Sequence, residues 1–315
     1  MIVDSLGLAM AVVDSDEALS GGWRRYADEA DLVRVQDPPA GLWPELRRAG
    51  FLPKPQVVMW RAEALDAEEH YLATLSGKDR YDIRAAYRKA REAGLRVETE
   101  PLTVALLDDF LKVYERQVAG MRNGWAVAVQ QRGQILAEAD TYRVVTVRAG
   151  DELVGACLNQ DLPANDEMRA RFSAVTAGQR GDSLSRVLYA ETLRQARTCG
   201  RRWATLGRDI NLYGHVGNAG LFSFKSRLGF AAVPGQLVEP GSGSHQADRV
   251  IRFGELADPT ALLSYDAEAD GSGDGAAVAA PLWLNLFTAS DGLDPRPFRG
   301  TGLAGTTVHT IGTAP

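Results

Sequence analysis

Cysteine is scarce in this chain: there are two, Cys157 and Cys199, far apart in sequence. That leaves no disulfide framework to read, and a cytoplasmic chain with reduced thiols is the simple expectation. Histidine is nearly as rare. His70, His215, His245 and His309 are scattered without metal-ligand spacing, so no metal is expected. No apolar run approaches the roughly 20 residues that span a bilayer, so no membrane partner is expected. The first residues carry Asp4 and Asp14 and no basic segment ahead of an apolar one, which argues against a secretory signal. Positive charge is not in excess. The formal net charge of −6 speaks against a surface that grips nucleic acid everywhere, while a local basic patch would survive that average.

What is present is an ordinary globular composition. The chain has 315 residues, 45% hydrophobic and 24% charged, enough for a sizeable core and two domains. The first 65 residues are broken by Pro38, Pro39, Pro44, Pro53 and Pro55 and read as irregular, apart from a short strand at 56–60. One or two helices are expected over 68–93, with Gly77 a possible break and Gly94 a C-terminal cap. An edge strand at 95–98 and a helix over 104–118 follow.

From Thr141 the pattern alternates. Residues 142–148 and 153–158 read as a hairpin about Ala149-Gly150-Asp151. A third strand at 168–176 leads into a Gly-containing loop and a helix over 183–199. Trp203–Leu206 is strand-like, 207–217 is a polar loop, and 218–228 is a short helix. Closing strands are expected at 230–233 and 249–253. Residues 267–280, rich in Gly, Ala, Asp and Ser, read as a linker. The apolar PLWLNLF at 281–287 should dock somewhere, and the last 25 residues should be loosely held.

The strand-loop-helix junction before residue 184 is suited to an anion. Such a junction presents unpaired N–H groups and the positive end of a helix dipole. Gly178 and Gly181 would let the backbone approach closely, and Ser183 can cap the helix. A plain strand-to-helix turn with a serine cap explains the same residues.

The order of elements, with their residues, resembles the GCN5-related N-acetyltransferase (GNAT) fold, in the branch that includes the FemAB-like peptidyltransferases. The segment YDIRAAYRKAREAGLRV at 81–97 resembles that branch's basic helix and following strand. Leu188-Tyr189, Ala196, Gly200 and Leu206-Gly207 resemble its central helix and the strand after it. Phe224-Lys225 followed by Gly229-Phe230 resembles its Phe-Lys…Gly signature. The resemblance covers roughly half the chain. It implies an α/β (α+β) fold, a mixed sheet flanked by helices in two GNAT-like halves. The domains would be a degenerate copy at 1–135, the core at 136–258, and a linker and tail at 259–315.

The same resemblance implies acyl or aminoacyl transfer from a carrier, acyl-CoA or aminoacyl-tRNA, to an amine of a small molecule or peptide. Two departures bear on the donor. In the usual acetyl-CoA loop pattern the first and last anchor places are here Gly178 and Ser183. Seven residues after Asn218, where common members have a tyrosine, stands Lys225. A cation there could stabilise charge developing on a leaving group. The donor is expected along Val175, Thr176, Gly178, Gly181, Ser183, Asn218 and Phe224.

Asp209 or His215 could be the base that deprotonates the acceptor. Arg208, Asn211 and Tyr213, in the loop beside them, are candidates for holding substrate, as is Tyr189. Arg84 and Arg88 belong to a helix face that could meet a phosphate backbone, making tRNA a candidate partner. For Lys225 the competing reading is a packed stem with its ammonium in solvent. For the basic helix it is a solvated face paired with Asp79, Asp82 and Glu92. Two other functions stay open: a strictly aminoacyl-tRNA-dependent peptidyltransferase, and a non-catalytic ligand-binding protein with a degenerate donor site. Neither the acceptor nor the oligomeric state follows from the sequence.

Overall fold

The computed structural model describes residues 1–5, 7–121, 124–178, 184–215, 217–267 and 281–312. They divide into two compact units, each discontinuous in sequence. The first comprises 1–60, 208–226 and 231–315, the second 61–207 and 227–230. This division runs differently from the expected cuts at 135 and 258. The reason is long-range strand pairing, which leaves no local signal.

The first unit opens with β1 (Ile2–Ser5), β2 (Leu8–Val13), α1 (Ser15–Ser20), β3 (Leu32–Gln36), α2 (Trp43–Arg48) and β4 (Leu52–Pro55). The expectation of an irregular start is therefore corrected. The prolines misled because β4, with sequence LPKP, is the terminal strand of its sheet. Proline lacks the N–H that a central strand would need, but an edge tolerates it. β5 (Val57–Glu63) runs from this unit into the next.

The second unit begins with α3 (Glu68–Thr74) and α4 (Gly77–Glu92). Ser76 separates them and caps α4, its side chain accepting from Asp79 N at 3.1 Å. Gly94, at φ +68°, follows the end of α4, the left-handed position glycine favours. After β6 (Leu95–Pro101), Thr103 caps α5 (Val104–Ala119) through Leu106 N. Leu107, Phe110 and Val113 on α5 pack into a core with Val144, Ala156 and Leu158. Two short helices, α6 (Val127–Gln130) and α7 (Arg132–Ala137), precede the hairpin of β7 (Tyr142–Ala149) and β8 (Glu152–Leu162). That hairpin turns at Gly150, φ +60°, as its turn residues imply. β9 (Glu167–Val175), α8 (Leu184–Thr198) and β10 (Trp203–Ile210) complete the order. Within this unit the sheet runs β10-β9-β8-β7-β6, parallel only between β9 and β10.

Back in the first unit come α9 (Ala219–Arg227, whose last residue counts with the second unit), β11 (Ala231–Pro234) and α10 (Gly235–Val238). β12 (His245–Val250) then inserts between β3 and β4, antiparallel to both. The closing strand expected at 249–253 lies several residues earlier. β13 (Thr260–Ser264), β14 (Leu282–Thr288) and β15 (Leu303–Thr310) form a separate three-stranded sheet. The expected docking of 281–287 is thus seen, whereas the expectation of a loose tail is corrected. β15 reads as polar because alternate residues are exposed. It is nonetheless held in register by β14, with Gly305 against the Trp283 ring and Trp283 Nε1 donating to Thr307 Oγ1 at 2.8 Å. Most of the expected linker, 268–280, lies outside the described residues.

The chain therefore has the α/β (α+β) architecture expected, with mixed sheets and helices in two units. Among the described residues no helix is long and apolar enough to cross a membrane.

Candidate functional site

Lys225 lies on α9, a helix of only nine residues. Asn218 precedes it and accepts from Gly220 N at 2.6 Å, which satisfies one otherwise unpaired donor. Phe222 and Lys225 are three residues apart and share a face. Phe222 is fully buried and packs edge-on against Trp60 and Tyr213, ring centroids 5.3 and 5.8 Å away. The same aromatic wall takes Lys225 inward. Its side chain is 7% exposed, so its ammonium is not held out in solvent.

The ammonium meets Asp209. Nζ lies 2.7 Å from Oδ1 and 2.6 Å from Oδ2. Oδ2 also accepts from Trp60 Nε1 at 2.8 Å and from Tyr213 OH at 3.0 Å. The carboxylate thus receives four donated bonds, one at Oδ1 and three at Oδ2, close to the number it can accept. Burial, and the Asp209 charge next, push the Tyr213 phenol well above its ordinary range, so it stays a neutral donor. Lys225 Nζ sits 5.7 Å from the Trp60 ring centroid, close enough for attraction to the ring face.

Asp209 reaches this position because β10 continues to Ile210, beyond the expected Leu206. Along an extended strand successive side chains alternate faces. Asp209 is half-buried while Arg208 is exposed, 3.7 Å from Glu239. Asn211 is fully buried. Its Nδ2 donates to the carbonyls of Pro55 and Leu263, and its Oδ1 accepts from Leu263 N. Those bonds tie backbone segments together and use up the side chain. His215 points elsewhere, its Nε2 3.2 Å from Ser5 O. The loop thus brings Asp209 and Tyr213 to Lys225, but not His215, Asn211 or Arg208. Phe224, on α9, is half-buried. Sequence reasoning missed Trp60 and Phe222. Phe222 shows as an apolar residue three before Lys225, whereas nothing local connects Trp60 to Asp209.

In the second unit, β9 carries the expected donor strand. Its parallel ladder with β10 runs from Glu167↔Trp203 to Ala170↔Leu206. On the other side Leu158 pairs with Phe172 and Asn159 with Ala170, so Arg171 is an extra residue, a bulge. Beyond it, Thr176 N donates to Val154 O at 2.9 Å, in register with the Gly155↔Val175 pair. Val175 N–H therefore faces away from β8. It donates to Gln117 Oε1 at 2.9 Å. Gln117 Nε2 in turn reaches Ser173 O at 3.5 Å, so the α5 side chain lies along this strand edge.

The rest of the expected donor set lies around that strand. Among the described residues nothing lies within 4 Å of where a Cβ on Gly178 would stand. Gly181 and Ser183 fall outside the described residues. Tyr189 on α8 is 2.7 Å from Ser173 Oγ through its hydroxyl. Arg84 and Arg88 are exposed on α4, where Arg88 stands 5.8 Å over the Tyr81 ring. Among the described residues no cluster of three or more acidic, histidine or cysteine side chains could hold a metal.

The family comparison supports the fold reading. Residues 77–221 match the acetyltransferase (GNAT) domain family. That stretch contains Asp209 and Tyr213 and ends four residues before Lys225. Solved structures similar to this chain include FemX, 12% identical at TM-score 0.46 over 78% of this chain and 81% of that one. Another is the C-terminal domain of a putative lysylphosphatidylglycerol synthetase from Agrobacterium fabrum, 13% identical at TM-score 0.43 over 76% and 75%. A third is L-PGS from Bacillus licheniformis, 14% identical at TM-score 0.40 over 80% of each chain. Comparison with curated proteins finds no match.

Proposed function

We propose that this GNAT-domain protein transfers an acyl or aminoacyl group from a carrier to an amine of a small molecule or peptide, and that Lys225 stabilises the leaving group. The observation that carries this reading is the ammonium of Lys225, buried within an aromatic wall and fixed by both oxygens of Asp209. Two of its three N–H donors are used there. The third remains for an oxygen or sulfur on which negative charge develops as the acyl bond breaks. A preorganised cation in a site with little water acts more strongly than one in bulk solvent.

In this reading Asp209 positions the lysine. The base role first considered for Asp209 or His215 does not suit either side chain: the carboxylate already receives four donors, and His215 points at a backbone carbonyl. The acceptor amine would then lose its proton to water. The strand Arg171–Val175 offers its edge to the donor, with Gln117 to be displaced from Val175.

The carrier is the finer question. Lys225 in place of a tyrosine and the exposed basic face of α4 favour aminoacyl-tRNA. The GNAT family match favours a CoA thioester. The deciding experiment measures amide formation with each carrier and a panel of amines. Turnover with aminoacyl-tRNA alone would establish the tRNA-dependent form, and turnover with acyl-CoA alone the other. No turnover with either would remove the transferase reading.

One observation favours a second reading, a ligand-binding protein without turnover. The Val175 N–H, which faces away from β8, is already bonded to Gln117. A chain that had lost its donor site would show such a filled strand edge. Binding of an amine ligand without any donor-dependent chemistry would support it.

A further inference from the structure

A cleft of about 280 Å³ opens in the second unit between α4 and the first turn of α8, lined by Tyr81, Asp82, Ala85, Arg88, Lys89 and Arg186. The small side chains of Ala85 and Ala86 make the hollow, and polar groups form most of its wall. Three of the lining residues are cations and one is an acid. The acid is already engaged, since Arg227 Nη2 lies 2.6 Å from Asp82 and its Nε 2.7 Å from Asp79. Arg88 has only a distant carboxylate, Glu92 at 4.0 Å, and Lys89 pairs with none among the described residues. A local cationic excess therefore stands on a chain whose net charge is −6.

Tyr81 supplies the other half of the chemistry. It is 61% exposed, unusual for a ring on the face of a packed helix, and Arg88 lies 5.8 Å from its centroid. A ring flanked by cations is the combination that holds a nucleotide, the base stacking while the phosphate meets the charges. The volume lies just below the usual range for ligand pockets, about 300–1,000 Å³. It suits a terminal nucleotide better than a whole carrier.

We infer that this cleft binds a phosphate-bearing nucleotide, with Lys89 and Arg186 on the phosphate and Tyr81 against the base. The inference rests on the proposed use of a nucleotide-linked carrier, and either carrier ends in such a group. It assigns Tyr81, Lys89 and Arg186 a binding role in addition to that considered for Arg88.

The test is equilibrium binding to the full chain of two probes, CoA and a short RNA ending in CCA. The variants are Lys89→Glu, Arg186→Ala and Arg186→Lys, with Arg91→Glu on the same helix but outside the cleft as control. At least one probe should bind. Lys89→Glu and Arg186→Ala should each weaken that binding tenfold or more, Arg186→Lys less, and Arg91→Glu under twofold. Whichever probe responds identifies the source of the nucleotide. Lys89 is on the surface, so its variant reports even if Arg186→Ala unfolds. Wild-type affinity in the cleft variants, or an equal loss in Arg91→Glu, would overturn the cleft and leave the transfer reading intact. Binding of neither probe to the wild type would also overturn it. The transfer reading would then fall only if turnover with both carriers were absent as well.

Discussion

Lys225 and Asp209 form a bidentate pair: the ammonium lies 2.7 and 2.6 Å from the two carboxylate oxygens. Two charges close together and mostly shielded from water are costly to separate. Breaking a buried pair by removing one partner costs about 3–5 kcal/mol. The Asp209 side chain keeps 15% exposure, which moves the expectation to the lower end. Asp209→Asn should lower the unfolding free energy by about 3 kcal/mol, read from urea midpoints, and should also slow turnover, by no more than Lys225→Ala does. Full stability in that variant would mean the pair is solvated in solution.

Gln117 gives a prediction with two opposed readouts. Its side chain satisfies Val175 N–H, and a hydrogen bond of this kind is worth about 1 kcal/mol. Gln117→Ala should lose about that much stability. A donor that competes for the same N–H should then bind about fivefold more tightly. Donor affinity and a denaturation curve on the one variant check both.

Gly229 packs closely against Leu75. It holds φ +78°, and a Cβ there would stand 2.7 Å from Leu75 Cδ2. Gly229→Ala should cost at least about 2 kcal/mol, the left-handed penalty of about 1–2 kcal/mol plus the clash. Gly94, at φ +68° with nothing within 4 Å among the described residues, isolates the backbone part. Gly94→Ala should cost about 1 kcal/mol, and the difference between the two variants measures the packing.

Lys54 sets a pH dependence in the first unit. It is fully buried, 3.1 Å from Asp248 Oδ2, from Gln246 Oε1 and from Asn211 O. Burial outweighs the Asp248 charge and lowers the ammonium to about 8 from 10.5. Between those values the unfolded chain binds more protons than the folded one, so this group's contribution to stability rises with pH. Against Lys54→Met, wild-type stability should gain about 3 kcal/mol from pH 8 to 10.5. Asp248 is held below its ordinary range against burial by Arg34, then by Lys54. Its contribution is present above the usual carboxylate value and is lost as pH falls through the lowered one. Urea titrations at a series of pH values check both limbs.

Local chemistry was legible in the sequence; distant pairing was not. The caps at Ser76 and Thr103, the Gly150 turn and the apolar face of α5 act within a few residues, and each stands where its chemistry implies. β4 was hidden because its prolines matter only through its edge position. β12 was displaced because its partners, β3 and β4, are encoded some 200 residues earlier. The same limit applies to the site. Lys225 is visible as an odd residue in a helical run, and Asp209 as an acid in a polar loop. That the two meet, with Trp60 149 residues from Asp209, depends on three separate stretches of the first unit converging. Gly207–Gly217 reads as a loop because Arg208 and Asp209 are polar, yet strand β10 continues through both.

The most direct test of the Lys225 proposal is the single-turnover rate of amide formation at saturating donor, wild type against Lys225→Ala. The proposed role predicts a fall of about a hundredfold or more, with donor affinity within about twofold of wild type. A rate within about twofold of wild type, in a folded variant, would show that the buried ammonium takes no part in the chemistry.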